Sequence, residues 1–75
     1  MASLSARIRL KISSGTLPTY QAPKVYGGKG NGGQCDACDC PIIDVELEFD
    51  AMNGRVIRFH PDCFRVWNVE RAKTA

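Results

Sequence analysis

Two short segments decide how this chain folds: Cys-Asp-Ala-Cys at positions 35–38 and His-Pro-Asp-Cys at positions 60–63. Each segment places two metal-ligating side chains within one turn of backbone, and residues 39–59 between them suffice for a β-hairpin. Paired ligands at these spacings are typical of structural zinc sites. We therefore predict one zinc ion in a closed tetrahedron of three thiolates and one imidazole. The predicted ligands are Cys35, Cys38, His60 and Cys63.

Three other interpretations of these residues are open. A disulfide framework would use all four cysteines, but it leaves the position of His60, three residues before Cys63, without a reason. A redox Cys-x-x-Cys motif is expected in a βαβ context, which is absent here. A catalytic zinc keeps an open coordination position and needs a general base nearby, and no such base is evident. Cys40 is expected to be a small, partly buried non-ligand, with an exchange of ligand roles with Cys38 as the alternative.

The length of the chain explains why a metal would matter. Its 75 residues can bury only a small core, and such cores usually need disulfides, a metal or a partner. Apparent zinc-binding energies of roughly 10–16 kcal/mol exceed the stability that so short a chain can reach alone. We expect the metal-free chain to be largely unfolded over residues 35–72. The chain divides into an N-terminal arm, residues 1–34, and a zinc-finger domain, residues 35–75.

The sequence also gives an expectation for the cellular compartment. No apolar run approaches the roughly 20 residues that a membrane-spanning helix needs, and residues 1–12 lack the apolar core of a secretory signal. We therefore expect a reducing, cytoplasmic environment, in which paired cysteines more often hold metal than form disulfides.

Charge is unevenly distributed along the chain. Residues 1–34 carry five basic residues and no acid, whereas residues 35–75 carry eight acids and five basic residues. A basic arm of this kind can contact nucleic acid or an anionic partner. The other interpretation is a solvated arm that partly neutralises its own domain.

The arm begins with a helical pattern. Leu4, Ile8 and Ile12 recur at the spacing of one helix face, and Gly15 is suited to end a helix. The alternation of basic and apolar residues over 7–12 fits a strand as well. We favour a helix over residues 3–14 because Gly15 and Pro18 mark its end, and we expect its apolar face to pack on the zinc-finger domain.

Residues 16–34 have the composition of a flexible linker. Pro18 and Pro23 favour extended backbone, and five of the seven residues at 27–33 are glycine, which predicts a loop. A phosphate-binding loop is disfavoured because Lys29 is followed by Gly30 and no helical pattern follows.

Residues 43–59 predict a β-hairpin. Val45, Leu47 and Phe49 alternate with acidic residues, and Asn53-Gly54 is a strong turn signal. The returning strand contains Arg55 and Arg58, which we expect to face the acidic side of the first strand.

Residues 61–72 predict a C-terminal helix. Pro61 suits the first helical position, which places His60 at the cap and Cys63 in the first turn. Phe64, Trp67 and Arg71 share a face that is expected to cover the hairpin. An exposed Trp67 that anchors a partner is the alternative.

These ligand positions carry a resemblance to known proteins. The pattern Cys35-x2-Cys38, then His60-x2-Cys63-Phe64, is similar to the first zinc finger of a LIM domain, and more broadly resembles the treble-clef zinc-finger fold. The resemblance covers residues 34–72 and implies a knuckle, a hairpin and a helix that supplies the last ligands. The knuckle is the turn formed by residues 35–40. It ends after Phe64, where a LIM domain begins a second Cys-x-x-Cys, so the protein-binding role of paired LIM fingers does not transfer. The whole chain also resembles small bacterial zinc-binding proteins of uncharacterised role.

The expectation is a small α+β protein with one treble-clef-like zinc finger, an N-terminal helix and a glycine-rich linker. Its expected role is non-enzymatic: it binds zinc structurally and contacts another protein, through the basic arm and the exposed face of the last helix. A nucleic-acid-binding zinc finger is the alternative, disfavoured by the acidic first strand and by the lack of a basic cluster near the finger. No membrane partner is expected.

Overall fold

The chain forms two helices and one antiparallel sheet in the computed structural model, which describes residues 3–74. The sheet has three strands in the order β1-β2-β3, so the small α+β class is confirmed. Neither described helix combines the length and apolar content needed to cross a membrane. The elements are α1 (Leu4–Ser13), β1 (Tyr26–Lys29), β2 (Val45–Asp50), β3 (Val56–Phe59) and α2 (Pro61–Thr74).

The N-terminal pattern forms a helix, as predicted. The Ser3 hydroxyl accepts a hydrogen bond from the Ala6 N–H at 3.1 Å and so caps α1. A strand would have placed residues 8, 10 and 12 on one face. Instead Ile8 and Ile12 are buried while Leu10 is 67% exposed, which is the helical arrangement.

The hairpin also forms at the predicted turn. In the β2–β3 register Leu47 faces Phe59 and Glu48 faces Arg58. Gly54 has a φ of 83°, a conformation that glycine adopts without steric cost. The Asn53 side chain accepts a hydrogen bond from the backbone N–H of Arg55, which fixes the turn.

The two arginines of the returning strand behave differently. Arg58 lies near the acidic face as predicted, with its Nε 3.5 Å from Glu46 and 3.8 Å from Glu48. The same prediction is wrong for Arg55, which donates to the Asp36 carboxylate at 2.7 Å and to the Thr16 carbonyl at 3.1 Å. Arg55 lies in the turn before β3, so the alternation of the strand does not determine its direction.

The prediction of a loop throughout residues 27–33 is wrong for its first part. Residues 27–29 belong to β1, where Gly27 pairs with Leu47 and Lys29 with Val45. Glycine has a low intrinsic strand propensity, so pairing with the edge of β2, rather than local sequence, creates this strand. Gly30 then approaches the Ile42 carbonyl so closely that a Cβ would overlap it.

The hydrophobic core centres on Trp67 of α2, which is fully buried. Its ring stacks on Phe49 and Phe59 with centroid distances of 5.4 and 5.3 Å, and its Nε1–H donates to the Pro18 carbonyl at 3.0 Å. The predicted covering of the hairpin by this helix face is therefore confirmed, and the exposed-anchor alternative is wrong. The core also includes Leu17 from the segment predicted to be a linker.

The two helices pack against each other and share one buried acid. Glu70 of α2 is 3% exposed and accepts hydrogen bonds from Arg9 of α1 at 3.1 Å and from Lys73 at 3.3 Å. Burial by itself would raise the pKa of the Glu70 carboxyl. Hydrogen bonds and positive charge from Arg9 and Lys73 outweigh burial, so the pKa lies below its ordinary value.

Candidate metal centre

The first half of the site is a tight turn between β1 and β2. The Asp39 N–H donates to the Cys35 carbonyl and the Cys35 N–H donates to the Cys40 carbonyl, both at 2.9 Å. Asp39 has a φ of 64°, a conformation that aspartate tolerates better than most residues. The Ala37 N–H points at the Cys35 sulfur at 3.4 Å. Such a contact stabilises a thiolate, because the donor dipole faces the negative charge.

The second half of the site is the junction of β3 and α2. Strand β3 ends at Phe59 and α2 begins at Pro61, which has no N–H to satisfy. The Phe64 N–H donates to the His60 carbonyl at 2.9 Å, which is the first hydrogen bond of the helix. His60 is therefore the residue before the helix and Cys63 lies in its first turn, as predicted.

Folding brings the four predicted ligands together. One donor atom from each of them lies within 4.8 Å of all the others. These residues are Cys35, Cys38, His60 and Cys63. Among residues 3–74 they are the group of cysteine, histidine and acidic side chains arranged to hold a metal ion.

The distances within the cluster can be tested against a tetrahedral ion. With metal–sulfur bonds of about 2.3 Å and metal–nitrogen bonds of about 2.05 Å, a tetrahedron has sulfur–nitrogen edges of about 3.6 Å. The His60 Nδ1 lies 3.4 Å from the Cys38 sulfur and 3.8 Å from the Cys63 sulfur. These two edges bracket the expected value, so the position of the His60 Nδ1 between the two sulfurs fits a tetrahedral site.

The imidazole of His60 is oriented for ligation. Its Nε2 donates a hydrogen bond to the Pro41 carbonyl at 3.1 Å. A proton on Nε2 leaves the lone pair of Nδ1 directed at the sulfurs. Metal-binding histidines are commonly held by such a hydrogen bond on the other ring nitrogen.

The electrostatics of the cluster also favour a bound cation. Burial raises the pKa of the Cys63 thiol, and the nearby Cys35 and Cys38 raise it further through repulsion between thiolates. A positive ion at the centre of the cluster would offset this repulsion and favour the thiolate form of Cys63. Three thiolates and one imidazole are ligands that a soft divalent cation prefers.

Two basic side chains of α1 hold the knuckle, an arrangement that the sequence pattern did not specify. Arg7 donates to the Cys38 carbonyl at 2.8 Å. Lys11 donates to the Asp36 carbonyl at 2.8 Å and to the Asp39 carboxylate at 2.7 Å. One indication of these contacts was present in the sequence. The arm is basic and the rest of the chain is acidic, which is the basis of the interpretation that the arm partly neutralises its own domain.

Asp36 is the functional residue that sequence reasoning missed. One of its carboxylate oxygens accepts from the Arg58 N–H at 2.8 Å, and the other accepts from the Arg55 guanidinium at 2.7 Å. The residue lies between two predicted ligands, Cys35 and Cys38, and links the knuckle to β3. No local pattern marks it, since its partners are 19 and 22 residues away.

Cys40 lies outside the cluster. The expectation of partial burial is wrong, since Cys40 is exposed and its thiol contacts the Cys38 carbonyl at 3.6 Å. The four donor atoms that converge include the sulfur of Cys38 rather than that of Cys40. The fourth cysteine therefore provides a chemically matched comparison for the other three.

Comparison of the chain with models of protein families, with curated proteins and with solved structures found no match. The function of the chain is therefore inferred from the chemistry and geometry of the candidate metal centre itself.

Proposed function

We propose that the protein binds one structural Zn²⁺ through Cys35, Cys38, His60 and Cys63. The observation that carries this proposal is the convergence of three sulfurs and one imidazole nitrogen within 4.8 Å. Four protein ligands would complete a tetrahedral zinc site. The zinc would join the knuckle to the β3–α2 junction, and with the hairpin and α2 the module resembles a treble-clef finger.

We propose a non-catalytic role for this zinc. A catalytic zinc has three protein ligands and an open position for water or substrate. Here four protein donors are available, and the fourth position would be filled by the chain itself. Cys63 is buried and His60 is held by Pro41, so neither ligand is placed to leave and admit a substrate.

The proposed role is to present a small, metal-stabilised surface to another protein. Protein binding is favoured over nucleic-acid binding because basic side chains of the arm already contact groups within the protein. Arg7, Arg9 and Lys11 are bonded to groups of the protein's own knuckle and second helix. A phosphate backbone would have to compete with those intramolecular contacts.

The test of the zinc proposal is metal content with circular dichroism before and after chelation. Protein purified without added zinc should contain one zinc ion per chain and lose most of its structure with a strong chelator. Structure that persists in metal-free protein with all thiols blocked would overturn the proposal.

The nucleic-acid alternative has its own test. Fluorescence anisotropy with a labelled DNA duplex and a labelled RNA strand should show no binding that falls steeply with salt. Affinity that drops sharply as salt is raised would favour the nucleic-acid class instead.

A further inference from the structure

The two edges of the sheet differ in how their backbone groups are satisfied. At the β3 edge, the Arg58 N–H donates to the Asp36 carboxylate and the Arg58 carbonyl accepts from the Asp36 N–H, each at 2.8 Å. The metal-binding knuckle therefore covers this edge at Arg58, and another strand cannot pair with β3 there.

The β1 edge is open. The Gly30 N–H donates to the Asp44 carbonyl at 2.6 Å, and in the same register Gly28 faces Glu46. Because backbone direction alternates along an antiparallel strand, residues 26 and 28 face β2 whereas Gly27 and Lys29 direct their N–H and C=O groups outward. Within residues 3–74, no hydrogen bond to these outward groups is found.

The open edge is also exposed and partly apolar. All four residues of β1 are exposed, and the exposed fractions of Val25, Tyr26 and Val45 are 37%, 50% and 50%. A Cβ at Gly28 would meet nothing within 4 Å, and one at Gly27 would meet only Leu47 at an ordinary 3.6 Å. The packing within one chain therefore does not require these glycines, and their bare backbone leaves room for a neighbour.

We propose that β1 pairs antiparallel with β1 of a second copy of this chain, so that two sheets join into one of six strands. The outward groups of one copy must face the outward groups of the other. The twofold axis then passes beside Gly27, with Gly27 opposite Gly27 and Val25 opposite Lys29. This register avoids the arrangement in which two Lys29 side chains lie opposite each other.

The same register explains the order of residues along β1. It places Tyr26 of each copy opposite Gly28 of the other, so each half-exposed ring covers a bare glycine. An aromatic residue across from a glycine is a stabilising cross-strand pair. Because the two contacts are equivalent by symmetry, the strand is complementary to itself, as a twofold interface requires.

The charges near β1 also favour a second copy of this chain as the partner. The register aligns Lys24 with Gly30 of the second copy, and Asp44 pairs with Gly30 in each chain. Lys24 and Asp44 of the second copy are then separated by two strand spacings, about 10 Å between backbones, which a lysine and an aspartate can bridge. Opposite charges therefore meet at both ends of the paired strands.

Sedimentation equilibrium of the metal-loaded full chain tests the proposal. Because the interface is small, the association should be weak and should appear as concentration rises from about 10 µM to about 1 mM. The average mass should increase from 8.2 kDa toward twice that value. A mass that stays at one chain throughout this range would overturn the proposal, and so would binding of an extended peptide to the edge without self-association.

Variants at Gly27 identify the surface. Gly27→Pro removes an outward N–H that this chain does not use, and an edge strand tolerates proline where its N–H faces solvent, so the fold should persist by circular dichroism and zinc content. The variant removes two hydrogen bonds from the dimer and should weaken association about ten-fold. Lys29→Gln, which keeps its backbone N–H, is the matched control and should associate nearly as the unmodified chain does. Equal association of Gly27→Pro and the control would show that another surface is used.

A charge exchange tests the register. Gly27→Asp and Gly27→Lys each place two like charges opposite each other at the twofold axis and should weaken self-association. An equimolar mixture of the two variants places opposite charges there and should restore association. If the mixture behaves like the separate variants, Gly27 does not lie at the axis and the proposed register is wrong.

Discussion

Replacement of Cys38 by serine would remove one of the four converging donor atoms with little change in volume. Cys38 is only partly buried, so a hydroxyl group fits in its place. The Cys38 sulfur lies 3.4 Å from the His60 Nδ1, as two ligands of one tetrahedral ion should. A serine hydroxyl does not supply the thiolate charge, so zinc affinity should fall while the rest of the turn is retained.

The size of the effect follows from linkage between zinc binding and folding. Loss of a group that merely orients a ligand costs about 10–100-fold in metal affinity, so loss of a ligand should cost at least about 100-fold. At saturating free zinc, a 100-fold weaker affinity lowers the free energy of unfolding by about 2.7 kcal/mol. A 75-residue chain has a total stability of only about 4–11 kcal/mol. At saturating zinc the variant should therefore keep only about 1–8 kcal/mol of stability and should unfold at a clearly lower guanidinium concentration than the unmodified chain.

Cys40→Ser is the matched control. Cys40 lies two residues away in the same turn and is exposed, and its thiol makes only a 3.6 Å contact with the Cys38 carbonyl. Its substitution should change the free energy of unfolding by no more than about 0.5 kcal/mol. Both variants are compared by zinc competition with a chromophoric chelator and by guanidinium unfolding at a buffered free-zinc concentration. Equal zinc affinity of the two variants, or a larger loss for Cys40→Ser, would refute the assignment of ligands.

Three further outcomes are expected from the core, the buried acid and the β1 region. Trp67→Ala should lower the free energy of unfolding by about 3–5 kcal/mol in a denaturant titration of zinc-loaded protein, because the ring is fully buried among aromatic side chains; a loss below about 1 kcal/mol would contradict this packing. Glu70 has a lowered pKa in the folded chain, so it stabilises the fold above its ordinary pKa of 4.5, and this stabilisation disappears as pH falls through the folded value. Thermal unfolding of the unmodified chain and of Glu70→Gln should therefore differ at neutral pH and converge in acid, and a constant difference would count against the buried ion pair. Gly30→Ala should destabilise the fold measurably in the same titration because its Cβ would overlap the Ile42 carbonyl, whereas Gly28→Ala, with nothing within 4 Å, should not; equal losses would exclude the close approach at Gly30.

The knuckle and the hairpin were predictable because short-range chemistry determines them. The Cys-x-x-Cys turn, the asparagine–glycine turn at 53–54 and the alternation along 45–49 each specify local geometry over a few residues. Helix α1 was predictable for a related reason. The spacing of Ile8 and Ile12 and the glycine at 15 agree on a helix, although the alternating pattern alone would have permitted a strand.

The sequence could not reveal contacts that depend on how separate segments meet. β1 has two glycines in four residues and no strand-forming pattern, and only the hydrogen-bonding groups of β2 make it a strand. Arg55 was predicted to face the acids of β2, but the turn directs it to Asp36, 19 residues away. The contacts of Arg7 and Lys11 with the knuckle likewise depend on the packing of α1 against a segment 25 to 31 residues away in sequence.

The sequence by itself therefore determined the donor atoms and their pairing along the chain, because ligand chemistry is a property of residue type and local spacing. The tertiary structure decided which basic side chains contact the knuckle, how Trp67 is buried and which sheet edge is left open. Those outcomes are set by packing between segments distant in sequence, where the backbone of one element satisfies or exposes the hydrogen-bonding groups of another.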